Sequence, residues 1–283
     1  MYTHIVIDLD GTLLDHNKKI APITQNALLH IQKELGMRLI LASGRPVPFM
    51  EPIAESLELD KYGGFLISNN GATVYDCQKR EYIFENKLEA EEIIEIINQV
   101  SAFNVIPMIH YEDQLYVEAH HHGIVKRDDQ EINIIEGELN SGNFNLNKVE
   151  KLIDSIDFPT YKVLIAGDSD YIFDNQDLIR GDLKDKYTGL VTGPVALEFT
   201  KRGVDKAFSL AWLADVKQFS KETVMAFGDG QNDMTLFEYA NHSVAMGNAV
   251  SELIEIADAI TLSNLEDGIG VYLNKFFDLE LVH

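Results

Sequence analysis

The residues Ile5-Val6-Ile7-Asp8-Leu9-Asp10-Gly11-Thr12 constrain this 283-residue chain more than any other stretch of it. Three consecutive β-branched residues read as a strand buried on both faces, of the kind found inside a parallel sheet. The strand then meets two acids, which an apolar interior does not accept without compensation. Side chains alternate along an extended chain, so Asp8 and Asp10 point to the same side. Gly11 lets the backbone turn away directly after them. Two carboxylates so placed repel each other unless a cation lies between them or one carries a proton. The opening strand therefore asks for a metal, a proton, or both at its carboxyl end.

The same grammar recurs along the chain. Apolar runs at 38–42, 65–67, 223–227 and 243–246 end in Ser43-Gly44-Arg45, Ser68-Asn69-Asn70-Gly71, Gly228-Asp229-Gly230 and Gly247-Asn248. A shorter candidate lies at 259–261. Helical periodicity fills the gaps at 24–35, 204–213 and 232–240, the first of them stopped by Gly36. Strands alternating with helices predict an α/β fold with a parallel sheet covered on both faces. Ligands of such sheets bind outside the carboxyl ends of the strands, where Asp8, Asp10, Ser43, Asn70 and Asp229 all fall.

The middle of the chain has another texture. A helix is predicted over 88–100, paired strands over 105–110 and 114–119, a strand over 161–166 and a helix over 174–186. Residues 140–147 read as a loop. This pattern predicts an α+β insert over 83–189 within a core made of 1–82 and 190–283.

Charge and composition exclude some functions. With 46 acids and 23 bases the formal net charge is −23, which disfavours nucleic acid and anionic membrane as partners. Exposed charge is screened beyond about 8 Å at physiological salt, so an anionic small molecule can still bind where the site is locally positive. No apolar run reaches the ~20 residues of a membrane span. Residues 1–4 lead straight into the first strand, which leaves no room for an export signal. Cys77 is the single cysteine, so no intrachain disulfide forms and the cytoplasm is the expected compartment. Nothing in the sequence specifies an oligomer.

Asp8-Leu9-Asp10-Gly11-Thr12, Ser43-Gly44-Arg45, Lys206 and Gly228-Asp229-Gly230-Gln231-Asn232-Asp233, in that order, resemble the four motifs of the haloacid dehalogenase superfamily. The Asn69-Asn70-Gly71 turn with a large insert after it is similar to the Cof-type phosphatases, which carry a type C2 cap. The resemblance implies a Rossmann-like α/β core with an inserted α+β cap. It also implies Mg²⁺-dependent hydrolysis of a small phosphorylated metabolite, such as a sugar phosphate. Asp8 would be the nucleophile that forms an aspartyl-phosphate, and Asp10 the general acid and base. Mg²⁺ would be held by the Asp8 carboxylate, the Asp10 backbone carbonyl and Asp229, supported by Asn232 and Asp233. Ser43 and Lys206 would hold the phosphoryl oxygens, although Ala207 follows the lysine where the family usually has glycine.

These assignments suit the chemistry, since an acyl phosphate is readily hydrolysed and Mg²⁺ prefers hard oxygen ligands. Arg45 is either a phosphate or substrate contact or the structural partner of a loop carboxylate. Asn70 and Gly71 are either substrate contacts or a plain turn. Two other readings share the motifs: a phosphomutase with the same catalytic acids, and an idle binding module on the same fold. His120-His121-His122 invites a metal reading, but neighbours on an extended chain point to opposite sides, so the three cannot chelate one ion together. A solvated loop is the expected setting for them.

Overall fold

A computed structural model describes residues 2–142 and 144–280, and the chain divides into two compact units. The first joins both ends of the chain, Met1–Glu85 and Asp205–His283, and the second is the intervening Asn86–Val204.

The first half of the outer unit runs β1 (His4–Asp8), α1 (Pro22–Leu35), β2 (Arg38–Ala42), α2 (Val47–Ser56), α3 (Leu59–Tyr62), β3 (Phe65–Ser68), β4 (Thr73–Asp76) and β5 (Glu81–Glu85). The inner unit follows with α4 (Ala90–Val100), β6 (Ile106–Tyr111), β7 (Gln114–Glu118), β8 (Ile124–Arg127), β9 (Gln130–Asn133), α5 (Ile134–Gly142), β10 (Asn145–Val149), β11 (Val163–Ala166), α6 (Ser169–Arg180), β12 (Tyr187–Gly193) and β13 (Ala196–Lys201). The chain then returns through α7 (Lys206–Lys217), β14 (Val224–Gly228), α8 (Met234–Tyr239), β15 (His242–Ala245), α9 (Ser251–Ile256), β16 (Ala259–Ile260) and α10 (Gly268–Phe277).

In the outer unit the sheet order is β16-β15-β14-β1-β2-β3-β4-β5, parallel from β16 to β3 and antiparallel at β4 and β5. β1 sits inside this sheet, and its alternation divides it between two cores. Ile5 and Ile7 pack with Ala27, Leu28 and Ile31 of α1 and with Ile269 and Leu273 of α10. Val6 faces the other way, toward Leu210 and Leu213 of α7 and Leu236 of α8. A strand covered on both faces has no polar side, which is why these runs are continuously apolar. Each such side chain, fully buried, contributes about 1.5–3 kcal/mol. α1 opens on Pro22 and closes at Gly36, whose φ of 65° is the left-handed cap that stops a helix. Cys77 is buried, and burial together with Asp76 pushes its thiol up to about 12, so it is inert filler. No helix among the described residues is long and apolar enough to cross a membrane.

The inner unit has a sheet of order β10-β7-β6-β11-β13-β12. One face packs α4 and α6, with Ile93, Ile96, Ile97, Ile172 and Ile179 against Val163, Ile165, Leu197 and Phe199. The opposite face gathers Met108, Leu115, Val117 and Leu164 with Val125 of β8 and Ile135 of α5.

The sequence boundary at 189/190 is corrected here. β12 pairs with β13, and β13 pairs antiparallel with β11, so these strands belong to the inner unit, and the outer one resumes at Asp205. Apolar alternation marks a strand but does not say which sheet accepts it. The loop expected at 140–147 also gives way. α5 runs to Gly142 and β10 lies parallel to β7, while Asn143 falls outside the described residues. The helix expected over 174–186 begins earlier, at Ser169, and ends at Arg180.

Candidate active site

The carboxyl ends of β14, β1, β2 and β3 lie side by side, and the residues just past them build one site. Asp8 is the last residue of β1 and only 5% exposed. It shares its side of the strand with Val6, and therefore faces the helix α7, whose first residue is Lys206. That lysine is completely buried. Its Nζ donates to Asp8 Oδ1 at 2.5 Å and to Asp233 Oδ1 at 2.7 Å. A buried ammonium stays in such a place only because two carboxylates surround it.

Asp233 is buried as well, and its other oxygen Oδ2 accepts the backbone N–H groups of Asp229 and Gly230 at 3.0 and 3.1 Å. Both of its oxygens are thus engaged, and it orients the loop that carries Asp229. Asp229 Oδ1 accepts from Thr12 Oγ1 at 2.8 Å. Gly11 lies against the same carboxylate. Its φ is +86°, and a Cβ there would stand 2.2 Å from Asp229 Oδ2, so only glycine lets the two loops meet.

The position of Lys206 is fixed from behind. Asp205 caps α7, accepting from Phe208 N at 2.8 Å. Gly71 backs directly onto that cap: at φ +98°, a Cβ would lie 2.0 Å from the Asp205 carbonyl oxygen. Gly71 is therefore a close-approach residue, which settles its place in the fold. Asn70 is buried at φ 52°, its backbone N–H bonded to Ser43 O at 3.0 Å and its Oδ1 accepting from Asn232 Nδ2 at 3.1 Å. Ser43 is buried at the end of β2, where its Oγ accepts from Arg45 N at 3.2 Å.

Asp10 takes a different direction from Asp8. Its carboxylate accepts from Arg45 Nε and Nη2 at 2.7 and 2.6 Å and from Lys18 Nζ at 2.6 Å. Between the two alternatives for Arg45, the described structure shows it paired with a loop carboxylate. Lys18, Thr12 and Asn248 were not given roles from sequence. Thr12 lies inside the first motif. Lys18 lies within the turn whose Asp15 Oδ1 accepts Asn17 N and Lys19 N, at 2.8 and 2.9 Å. Asn248, which donates to Gly11 O at 2.8 Å, follows a strand end already marked by Gly247.

The electrostatics separate the acids. Burial raises the Asp8 carboxyl well above its usual range; Lys206 opposes that and the neighbouring Asp233 and Asp229 add to it. Burial also raises Asp229, to about 6, with the Thr12 hydrogen bond opposing and Asp233 adding. Burial works on Asp10 too, but the hydrogen bonds from Arg45 and Lys18 outweigh it and hold that carboxyl below the usual range.

Asp8, Asp229 and Asp233 bring carboxylate oxygens within 4.8 Å of one another. Three carboxylates against the single ammonium of Lys206 leave two negative charges, and the donors are all hard oxygens. That set fits a divalent cation of the Mg²⁺ type.

A parallel sheet with buried acids and a lysine gathered at its carboxyl edge defines an α/β enzyme with its site where such sheets place it. The chain belongs to the haloacid dehalogenase-like hydrolases, whose family profile matches residues 5–273. A crystal structure of a haloacid dehalogenase-like hydrolase from Bacteroides thetaiotaomicron is 30% identical, covers 98% of this chain and 100% of that one, and superposes with a TM-score of 0.81. YxeH of Bacillus subtilis, provisionally named a phosphatase, is 28% identical over 271 residues, covering 95% of this chain and 96% of that protein. The 5-amino-6-(5-phospho-D-ribitylamino)uracil phosphatase YitU of Bacillus subtilis is 26% identical over 287 residues, with 97% of each chain covered.

Proposed function

We propose that the protein is a Mg²⁺-dependent phosphatase that hydrolyses small phosphate monoesters, sugar phosphates or related metabolites, through an aspartyl-phosphate on Asp8. The observation that carries this reading is the buried Asp8–Lys206–Asp233 triad beside Asp229. It supplies a carboxylate nucleophile and a fixed cation for phosphoryl oxygens within one site.

In the first step an Asp8 carboxylate oxygen attacks phosphorus. The bond from phosphorus to the ester oxygen breaks, and that oxygen takes a proton from Asp10. In the second step water attacks the aspartyl-phosphate, Asp10 takes the proton, and inorganic phosphate leaves with Asp8 restored. Lys206 and Ser43 hold the phosphoryl oxygens, and Asp233 and Asn232 keep the Asp229 loop and Asn70 in place. Asp8, the Asp10 carbonyl and Asp229 would hold Mg²⁺, which when bound supplies charge stabilisation at the phosphoryl group. Asp8, Asp10, Asp229 and Asp233 against Arg45, Lys18 and Lys206 leave one negative charge, which a bound Mg²⁺ would turn positive; on a protein of net charge −23 that favours a small anionic substrate over nucleic acid or membrane. A substrate phosphate that draws the exposed Lys18 toward itself lessens the positive charge holding Asp10 ionised, while Arg45 keeps the carboxyl oriented for proton transfer. The lone buried thiol of Cys77 supports a reducing, cytoplasmic setting.

The test is turnover of a generic aryl phosphate with and without Mg²⁺, in wild type and in Asp8→Asn. Metal-dependent turnover abolished by the substitution is expected. Full activity in Asp8→Asn removes Asp8 as the nucleophile, and isomerised sugar phosphate without free phosphate identifies a mutase instead.

A further inference from the structure

The histidine run sits in the inner unit, just past the end of β7, and its backbone is not extended. His121 N donates to the Glu118 carbonyl at 3.0 Å, closing a turn over residues 118–121. Neighbouring side chains diverge on an extended run, but on this turn they need not. It gathers a different trio: ligand atoms of Glu118, His120 and His121 all lie within 4.8 Å of one another.

We propose that Glu118, His120 and His121 form a binding site for a first-row transition-metal dication, with Zn²⁺ as the reference ion. His120 Nδ1 and Glu118 Oε2 are 3.5 Å apart, long for a hydrogen bond. Two ligands of a tetrahedral ion with bonds of about 2.0–2.1 Å stand about 3.3 Å apart, so the pair is already near the spacing one ion needs. The carboxylate is held for this purpose. Glu118 Oε1 accepts from Leu152 N at 3.0 Å, which fixes the plane of the group and leaves Oε2 for the ion.

The backbone beneath is equally fixed. Glu118 pairs with Val149 of β10, and Ala119 N donates to Val149 O at 2.7 Å. The imidazoles of His120 and His121 lie 4.0 Å apart, centroid to centroid. Two imidazoles and one carboxylate select Zn²⁺, Co²⁺, Ni²⁺ or Cu²⁺ over Mg²⁺, which takes oxygen ligands. His120 is largely exposed, so the remaining coordination positions open to water.

The experiment is a calorimetric titration of chelator-stripped, tag-free full-length protein with Zn²⁺, in millimolar Mg²⁺ that keeps the Asp8–Asp229 acids supplied. Co²⁺ absorption reports the ligand geometry independently. One equivalent of Zn²⁺ should bind, and His120→Gln and His121→Gln should each weaken it at least about tenfold. His122→Gln and Asp229→Asn should leave that affinity unchanged, which separates this site from the catalytic acids. Binding in both histidine variants equal to wild type, or no stoichiometric Zn²⁺ uptake by the wild type, overturns the proposal. Circular dichroism of each variant establishes that it is folded.

Discussion

Arg45 grips both oxygens of the Asp10 carboxylate, Nε on Oδ2 at 2.7 Å and Nη2 on Oδ1 at 2.6 Å. This parallel two-point contact is one that a guanidinium makes and an ammonium cannot. If Arg45 orients Asp10 for proton transfer, its loss matters most when the leaving oxygen is a poor one. Arg45→Lys should lower kcat about tenfold on an alkyl phosphate and far less on 4-nitrophenyl phosphate. Steady-state kinetics on both substrates decide the point. Equal losses mean that Arg45 acts on something other than the acid.

Lys206, itself at zero exposure, is the sole charged partner holding the buried Asp8 and Asp233 together, among the contacts described for this site. Lys206→Met removes the cation and leaves two buried carboxylates uncompensated. The expected loss is about 3–5 kcal/mol at pH 7, read from urea unfolding. Burial already raises Asp8 above its unfolded value, and loss of the opposing Lys206 raises it further, so the deficit should shrink as the pH falls and Asp8 protonates. A variant as stable as wild type at pH 7 would show that the triad is not a stabilising element.

Gly71 and Gly36 both have positive φ, but they differ in surroundings. Nothing lies within 4 Å of a Cβ on Gly36, whereas one on Gly71 meets the Asp205 carbonyl at 2.0 Å. Gly36→Ala should therefore cost about 1 kcal/mol, from backbone conformation alone. Gly71→Ala should cost well over about 2 kcal/mol and should raise KM, because it displaces the residue preceding Lys206. Thermal unfolding and kinetics of the two variants measure the difference. Similar costs would mean that the close approach relaxes freely.

His4 is stacked on Phe219 at 3.7 Å between ring centroids and is paired across β2 with Arg38. Burial first, and Arg38 second, lower its pKa from 6.5 to about 4. The folded protein therefore prefers the neutral ring, and the unfolded chain binds the proton more readily between these values. Stability from this group is complete above pH 6.5 and is lost as the pH falls toward 4. Relative to wild type, His4→Phe should gain about 3 kcal/mol between pH 7.5 and pH 4. Parallel stability curves for the two proteins would contradict the assignment.

Much of the site was legible because its residues follow strand ends, where hydrophobic runs stop abruptly. Asp8, Ser43, Asn70 and Asp229 could be placed at one edge from topology alone. What the sequence concealed depends on pairing between distant segments. Nothing local in residues 196–201 tells them to join Val163–Ala166 rather than β14. The Asn-Leu-Asn-Lys-Val stretch of β10 is too polar to announce a strand, since it lies at a sheet edge. The divergence of Asp8 and Asp10 was also hidden, because it is set by Arg45 and Lys18 through side-chain contact rather than by spacing. The setting of the histidines was hidden as well, since a turn over residues 118–121 takes the place of an extended backbone, though they lie in the exposed loop expected of them.

The central position of β1 has a consequence during synthesis. β1 emerges well before its neighbour β14, which begins only at Val224. Until most of the chain has left the ribosome, one edge of this strand lacks its partner, exposing an apolar pairing surface. Lys206 and Asp233 also arrive late, so Asp8 exists long before the groups that hold it. A nascent chain cut short before residue 224 would carry an unpaired, aggregation-prone edge, and the enzyme as a whole can be completed only from its far end.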